Sequence, residues 1–411
     1  MLALEEIPPA SRERLDQIGA ADLVIGLLVP APNETLEAAI ARARESVGSL
    51  YTPARAVVMH PVTETPLAAR EDDMLRTLPF PLMPADPSVD ALESIYAACN
   101  TVFAVGAGLG ARAIAVIVSD PRDVTAQWIY RLVRPVLELD FDLVTPCYLH
   151  GKFEGLLNTA IVAPLTRALY GRRIQHPLGP DFGVAGRFAR RLTAASPGRE
   201  RRSLASVTLD AVCDGFEISQ ANVGVRHYPA TDWMNQSSVL VQILDPVFRE
   251  IEHRASFWQR VRDSQPVPLF GDLPGDANHR PEAADSLDIH RMFESFELGL
   301  RDLGEVWGAI LPPGTLLELN KLARGRLDNF HLPDRLWARI IYDFAIAYHL
   351  RTLNSDHLLR AMTPLYLAWV VSFALDSGQD PAERIEQLAI AFEQAKPYAV
   401  SRWRWPDRFN P

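Results

Sequence analysis

The stretch AIAVIVSD, residues 113–120, decides the fold class of this 411-residue chain. Its first six residues are all apolar, which is typical of a short strand that is buried on both faces of a parallel sheet. A helical pattern precedes it at residues 90–105, and another follows at residues 125–137, where Thr125 can cap the helix. Because a strand between two helices indicates a βαβ unit, we predict an α/β fold with a mainly parallel sheet and helices on both faces.

The alternation of strands and helices extends in both directions from this stretch. Residues 23–29 (LVIGLLV) and 56–59 are strand-like and enclose a helical pattern at residues 34–47, and residues 143–147 form another strand candidate. Beyond about residue 240 the apolar spacing becomes that of helices alone. We therefore expect an α/β domain over residues 1–240 and an all-α domain over residues 241–411.

The composition excludes several classes of protein. A formal net charge of −10 provides no general basic surface, so nucleic acid is not an expected partner. Three widely spaced cysteines, Cys99, Cys147 and Cys213, indicate a reducing compartment and no cysteine metal site. The longest apolar run, residues 361–375, contains Pro364 and is shorter than the roughly 20 residues of a membrane helix. The sequence thus predicts a cytoplasmic protein with no membrane span.

Ser119 and Asp120 directly follow the strand at residues 113–118. They fall at the carboxyl edge of the predicted sheet, where open α/β folds bind ligands. A carboxylate there can hold a divalent cation against a diphosphate group. A lone aspartate before a proline is also typical of a simple turn, and the sequence leaves both interpretations open. A second acidic pair, Asp140 and Asp142, precedes its strand and is interpreted as a loop pair at the opposite edge.

Three further segments carry candidate site residues. His227 follows a strand-like segment, and it is either a polar loop residue or a neutral imidazole that completes a metal site with Asp120. Gly179 and Asp181 lie in a tight turn, which is either a simple turn or a ligand site, where glycine permits a close approach of backbone to ligand and the carboxylate can accept hydrogen bonds from sugar hydroxyls. Lys152, one of only three lysines among 41 basic residues, can contact a phosphate or an acidic acceptor, or can simply be solvated.

The glycines at positions 106, 108 and 110 suggest a dinucleotide-binding loop at first sight. Such a loop follows a strand and begins a helix, whereas this one follows a helix and leads into a strand. We therefore predict a turn at the carboxyl end of a helix.

Five ordered blocks of the sequence together resemble the mannosylglycerate and glucosylglycerate synthase-like glycosyltransferases. These are retaining enzymes with a GT-A fold, which binds nucleotide-diphospho-sugars, and with a helical C-terminal domain. The resemblance covers most of the chain from about residue 110, and its blocks are residues 118–128 (VSDPRDVTAQW), 152–170 (KFEGLLNTAIVAPLTRALY), 176–192 (HPLGPDFGVAGRFARRL), 257–271 (FWQRVRDSQPVPLFG) and 336–366.

The resemblance implies a role for each candidate residue. A divalent cation, Mg²⁺ or Mn²⁺, is expected between Asp120 and His227. The catalytic pair is expected to be Asp181, at the transferred sugar, and Lys152, which faces the acceptor. The expected donor-binding residues are Pro30, Asn33 and Glu34 at the nucleotide base, together with Ser119, Asp120 and Gly179.

The resemblance also implies a reaction and its partners. A hexose is expected to move from a nucleotide diphosphate sugar, GDP- or UDP-linked, to glycerate or a similar small acid. The long amphipathic helices of the C-terminal half are in addition a candidate homodimer interface.

Several positions depart from the family pattern. Val118 replaces the first aspartate of the DxD motif, and residues 84–89 (PADPSV) replace a lysine-containing loop that holds the donor phosphate. Residues 202–206 (RSLAS) replace a Gly-Ile-Asp turn, and residues 60–65 lack the usual aspartate. These departures motivate an alternative function, that of a catalytically degenerate scaffold or regulatory subunit.

Overall fold

A computed structural model of the chain describes residues 9–68, 71–81, 91–194, 202–228, 231–271, 287–376 and 380–406. The chain forms two compact units. Because each unit is built from three segments, no single residue divides them, and the domain boundary at residue 240 stays a prediction. The first unit comprises Met1–His150, Ile174–His227 and Pro266–Asn278, and the second comprises Gly151–Arg173, Tyr228–Gln265 and His279–Pro411.

The first unit is organised around an eight-stranded sheet. The strands, numbered along the chain, are β1 Leu23–Leu27, β2 Ala56–Pro61, β3 Leu75–Phe80, β4 Ala113–Ile117, β5 Leu143–Leu149, β6 Arg172–Arg173, β7 Phe182–Ala185, β8 Ile218–Val225, β9 Gln265–Pro266 and β10 Leu269–Phe270. The order across the sheet is β10-β8-β5-β7-β4-β1-β2-β3, and β6 and β9 lie outside it. All neighbours in the sheet pair in parallel except β7, which is antiparallel to both β4 and β5.

The helices follow the alternation that the sequence predicts. Thr125 caps the helix after β4, since its side chain accepts a hydrogen bond of 3.1 Å from the Trp128 amide. Those of the first unit are α1 Pro9–Ile18, α2 Asn33–Gly48, α3 Ala91–Gly108, α4 Ala126–Glu138, α6 Gly186–Thr193 and α7 Leu204–Asp214. Those of the second unit are α5 Ala163–Tyr170, α8 Gln236–His253, α9 Ala255–Trp258, α10 Ile289–Asp302, α11 Gly304–Ile310, α12 Pro313–Ala323, α13 Asp334–His349, α14 Ser355–Arg360, α15 Thr363–Leu375 and α16 Pro381–Arg404.

The predicted fold class is confirmed: a mainly parallel α/β sheet with helices accompanies a largely helical C-terminal region, and the assignment to the GT-A type stays a prediction. Every residue of β1 and β4 is buried, as their unbroken apolar sequences require. The three glycines at residues 106–110 lie where α3 ends, and Gly110 has a φ of +70°, so the predicted helix-terminal turn is confirmed. Beyond residue 240 the described chain is helical as predicted, apart from two short strands, β9 and β10, of which β10 lies beside β8.

The second unit contains a buried lysine. Lys396 on α16 is 6% exposed, and its ammonium group donates hydrogen bonds of 2.7 Å to the carbonyl oxygens of Ala168, near the end of α5, and of Val261. Burial lowers the pKa of Lys396 to about 8. The last carbonyls of a helix have no partner within the helix, so a cation at this place completes their hydrogen bonding. Lys396 thus serves the packing of the helices.

One stretch of the second unit has the length and apolarity of a membrane-crossing segment. Ser355–Leu375 spans 21 residues with a mean hydropathy of 1.5, and 72% of its apolar window is buried inside the protein. Core helices of globular proteins share these properties. The stretch is also divided between two helices, α14 and α15.

Gly183 in β7 provides a test of the packing around the antiparallel strand. A Cβ atom at this position would lie 1.9 Å from the carbonyl oxygen of Leu132 in α4, so the strand and the helix would have to separate. We expect Gly183→Ala to lower the free energy of unfolding by about 1–3 kcal/mol, as overpacked core substitutions do. Urea denaturation followed by circular dichroism measures the change.

Gly48→Ala is the matched control, because a Cβ atom at Gly48 meets no other atom within 4 Å. Its midpoint should be unchanged or slightly higher, since alanine loses less backbone freedom on folding than glycine. Equal midpoints for both variants would contradict the packing described for β7.

Candidate functional site

The topology of the sheet brings the predicted site segments of the first unit to one edge. β1, β4, β5 and β8 run in the same direction, so their carboxyl ends lie together. β7 runs in the opposite direction, so its amino end lies at the same edge. The segments at this edge are therefore residues 30–34 after β1, 119–123 after β4, 179–181 before β7 and 226–227 after β8. Ligands of open α/β sheets bind at this edge.

Asp181, at the amino end of β7, is fully buried and accepts four hydrogen bonds. Its Oδ1 accepts from the backbone amides of Val118 at 2.7 Å and Ser119 at 2.9 Å. Its Oδ2 accepts from the hydroxyl groups of Ser119 at 2.5 Å and Tyr148 at 2.7 Å. The carboxylate thus ties the ends of β4 and β5 to the start of β7. Contact of Asp181 with a sugar stays a prediction.

Ser119 is 2% exposed, and both its amide and its hydroxyl group donate to Asp181. Its hydrogen bonds hold the chain in place as it leaves β4, and a contact with the donor stays a prediction. The anchored chain then continues into the turn that carries Asp120.

Asp120 folds its own turn and pairs with Arg122. Its Oδ1 accepts from the Arg122 amide at 2.9 Å and from Nε at 3.0 Å, and its Oδ2 accepts from Nη2 at 2.5 Å. The neighbouring guanidinium lowers the pKa of Asp120, so the carboxyl group is ionised at neutral pH. The turn interpretation therefore describes the observed geometry, and the role in metal binding stays a prediction.

His227 contacts Asp123, a residue that no sequence motif singles out. Its Nδ1 lies 2.5 Å from Asp123 Oδ1, and its backbone amide donates to Oδ2 at 3.0 Å. The Asp123 amide in turn donates to the Asp120 carbonyl oxygen at 2.9 Å. The Asp120 turn and the His227 loop are thus joined directly.

The chemistry of these two side chains fits a divalent cation that also binds a substrate. The part of the chain described by the structure contains no group of three or more His, Cys, Asp or Glu side chains that could hold a metal. Mg²⁺, however, commonly uses one or two carboxylates and takes its other ligands from substrate phosphates and water. The side chains of Asp120 and His227 are 38% and 53% exposed, so both are accessible. The exposed Arg122 is a weak competitor for Asp120.

Gly179 packs against protein. A Cβ atom there would lie 2.4 Å from Cγ of Pro146 in β5, so close packing alone explains the glycine. At the end of β1, Asn33 Nδ2 donates to Thr65 Oγ1 at 2.8 Å, while Pro30 and Glu34 are exposed. The roles of these four residues in donor binding stay predictions.

Lys152 belongs to the second unit. Its ammonium group lies 5.2 Å from the ring centre of Phe153 and 5.3 Å from that of Phe373, within the range of cation–π attraction. A contact between Lys152 and an acceptor stays a prediction.

Of two segments that depart from the family pattern, the structure describes one. Residues 84–89 lie outside the described residues. Residues 202–206 begin a helix: Ser203 and Ser206 form a capping box at the start of α7, and Arg202 donates to the hydroxyl group of Tyr96 at 3.2 Å. The RSLAS segment therefore has a structural reason for its sequence.

A second missed group lies at the ends of β5 and β8. The Arg226 guanidinium lies 4.9 Å from the ring centre of Tyr148, and the His176 ring contacts the rings of Tyr148 and His150 edge-on. Burial lowers the pKa of His176 to about 3, so this ring is neutral. In the sequence, the position of Arg226 directly before His227 was the feature that could have indicated a positive charge at this site. The group puts one fixed positive charge beside the candidate metal residues.

Comparisons with known proteins give a match to solved structures alone. No family model and no curated protein matches the chain. Glucosyl-3-phosphoglycerate synthase from Mycobacterium tuberculosis, solved with Mn²⁺, UDP-glucose and phosphoglyceric acid, is 19% identical over 58% of this chain and 84% of its own, with a TM-score of 0.33. Mannosyl-3-phosphoglycerate synthase from Rubrobacter xylanophilus is 14% identical over 62% and 81%, with a TM-score of 0.38. Similarity at this level does not establish activity.

The hydrogen bonds of Asp181 lead to a stability prediction. Asp181→Ala leaves one buried amide, one partly buried amide and two hydroxyl groups without their acceptor, and we expect a loss of about 3–5 kcal/mol in the free energy of unfolding. Asp181→Asn retains one acceptor oxygen and should lose less. Urea denaturation measures both values.

Asp302→Ala is the control, because Asp302 is exposed and, within the part of the chain that the structure describes, its carboxylate pairs only with its neighbour Arg301. Its unfolding midpoint should match that of the wild-type protein. An Asp181→Ala protein as stable as this control would show that the carboxylate does not hold the sheet edge together.

Proposed function

We propose that this chain is a glycosyltransferase that uses a nucleotide diphosphate sugar. The observation that carries the proposal is the direct connection of the Asp120 turn to the His227 loop through Asp123, at the carboxyl edge of the sheet. A carboxylate and an imidazole held close together at this edge are suited to a cation that binds a diphosphate.

In this proposal Asp120 and His227 hold Mg²⁺ or Mn²⁺. The bound ion supplies positive charge that stabilises the departing nucleoside diphosphate. The protein contributes an ionised Asp120 carboxylate, which Arg122 keeps charged in the absence of an ion. In the same proposal residues 30–34, after β1, border the nucleotide, and the buried Ser119 and the closely packed Gly179 form the floor of the donor site.

The arginines of the two loops support the binding of an anion. Arg122 is 78% exposed and is held mainly by Asp120, so a diphosphate can take over its guanidinium when a metal ion occupies the carboxylate. Arg226, over the Tyr148 ring, supplies further positive charge. The chain as a whole carries a charge of −10, so positive charge at this edge of the sheet favours the binding of an anion here over the rest of the surface.

The finer parts of the proposal follow from the family resemblance. The hexose moves with retention of configuration to glycerate or a similar small acid, with Lys152 attracting the acid and Asp181 supporting the sugar site. The donor carries GDP or UDP, and the protein is cytoplasmic and forms a homodimer through its helices.

One observation favours a second function. Val118 replaces an expected aspartate, and the remaining carboxylate of Asp120 is already neutralised by Arg122. A relative that has lost its catalytic activity would retain such a site, in which one carboxylate remains and is already paired with an arginine of the same turn. In that case the chain serves as a scaffold or regulatory subunit.

Titration calorimetry with UDP-glucose and GDP-mannose, with and without Mn²⁺, tests the proposal. We expect micromolar binding of one donor that weakens at least tenfold, about 1.4 kcal/mol, without the metal. Asp120→Asn and His227→Ala should each abolish the metal-dependent part, because each removes one of the two protein ligands.

Asp73→Asn is the matched control, since Asp73 is a fully exposed carboxylate before β3, at the opposite edge of the sheet. It should bind donor like the wild-type protein. Absence of binding for both donors would favour the scaffold function, and binding that ignores Mn²⁺ would reject the metal assignment.

A further inference from the structure

Asp123 uses both of its carboxylate oxygens on one residue. Oδ1 contacts the His227 ring at Nδ1, and Oδ2 accepts from the His227 backbone amide. The Asp123 side chain is 8% exposed, whereas the His227 side chain is 53% exposed. The carboxylate is therefore the fixed partner, and it restrains both the position of the loop and the rotation of the ring.

This contact selects one form of the imidazole. An ionised carboxylate only accepts hydrogen bonds, so Nδ1 of His227 must carry a proton at a separation of 2.5 Å. In the neutral ring the second nitrogen, Nε2, then has the lone pair. The described part of the protein provides no hydrogen-bond partner for Nε2. The ring is thus prepared to donate its electron pair to a cation or to accept a proton.

We infer that Asp123 is a positioning residue that holds His227 as the Nδ1-protonated tautomer with Nε2 as the metal-binding atom. The metal-binding part rests on the proposed function, whereas the tautomer does not. Metal-binding histidines commonly donate their other nitrogen to a carboxylate, which fixes the ring and raises the basicity of the ligand. The backbone contact of Oδ2 adds a restraint on the loop, so Asp123 connects the histidine to the turn of the other ligand, Asp120.

Nitrogen NMR of protein labelled in histidine tests the tautomer directly. Comparison with His227→Ala assigns the His227 signals among those of the ten histidines. At pH 8.5 the wild-type ring should show protonated Nδ1 and unprotonated Nε2. Asp123→Ala should shift the population towards protonated Nε2, and Asp123→Asn, whose amide oxygen can still accept from Nδ1, should retain the wild-type pattern in part.

Electron paramagnetic resonance with Mn²⁺ and UDP tests the consequence for the site. Loss of the partner of a metal-bound histidine typically lowers metal affinity by about 10- to 100-fold, and we expect this for Asp123→Ala, with a smaller loss for Asp123→Asn. Unchanged signals from the other nine histidines show that each variant is folded.

Glu252→Ala is the matched control, because Glu252 Oε1 lies 3.0 Å from Nδ1 of His349, in a carboxylate–histidine pair of the second unit. It should alter the His349 signals and leave Mn²⁺ affinity unchanged. A wild-type His227 protonated at Nε2, or an Asp123→Ala protein that retains both the tautomer and the affinity, would overturn the inference. The expected tautomer in a protein that binds no Mn²⁺ would instead reject the proposed function and the metal role, while the orientation of His227 would stand.

Discussion

The buried carboxylate of Asp181 is the interaction on which the candidate site depends. A carboxyl group in the interior is tolerated only when its hydrogen bonds are satisfied, and here four donors from the ends of β4 and β5, the strands on either side of β7, converge on it. The antiparallel β7 makes this possible, because its amino end lies beside the carboxyl ends of β4 and β5. The turn that carries Asp120 therefore leaves the sheet from a fixed point.

From that fixed point the turn is stabilised in two further steps. Asp120 closes the turn by accepting from the amide of Arg122, and Asp123 extends from it to hold both the backbone and the ring of His227. Each of these two steps depends on a carboxylate. Together with Asp181 they make three carboxylates, which differ in exposure. Asp181 is fully buried, Asp123 is nearly so, and Asp120 is more than one-third exposed. The most accessible carboxylate, Asp120, is thus the one proposed to bind a metal ion. The two less accessible carboxylates hold the backbone of the neighbouring segments in place.

The sequence predicts the sheet because its main strands are strong local signals. Residues 113–118 are apolar without interruption, and such a run has few alternatives to a buried parallel strand. β7, with the sequence FGVA, is too short to produce a pattern, and its glycine has the appearance of a turn residue. The reason for Gly183 is a close contact with α4, which is formed by residues about fifty positions earlier. A contact of that kind has no local signature.

The sequence predicts which segments of the chain lie at the candidate site. It does not predict which of their side chains contact each other. Asp120 and His227 each follow a strand, so parallel strands place both at one edge. Asp123 differs from any other loop aspartate only through a contact with a residue 104 positions away. Lys396 illustrates the same limit, because its three carbonyl partners become neighbours only after the helices have packed.

The most direct measurement is a diffraction experiment on crystals grown with Mn²⁺ and UDP, with data collected at the manganese absorption edge. The account predicts one anomalous peak between a carboxylate oxygen of Asp120 and Nε2 of His227, with the Arg122 guanidinium moved away from Asp120. A map without a peak at this edge of the sheet, with Asp120 still paired to Arg122 and UDP absent, would contradict it.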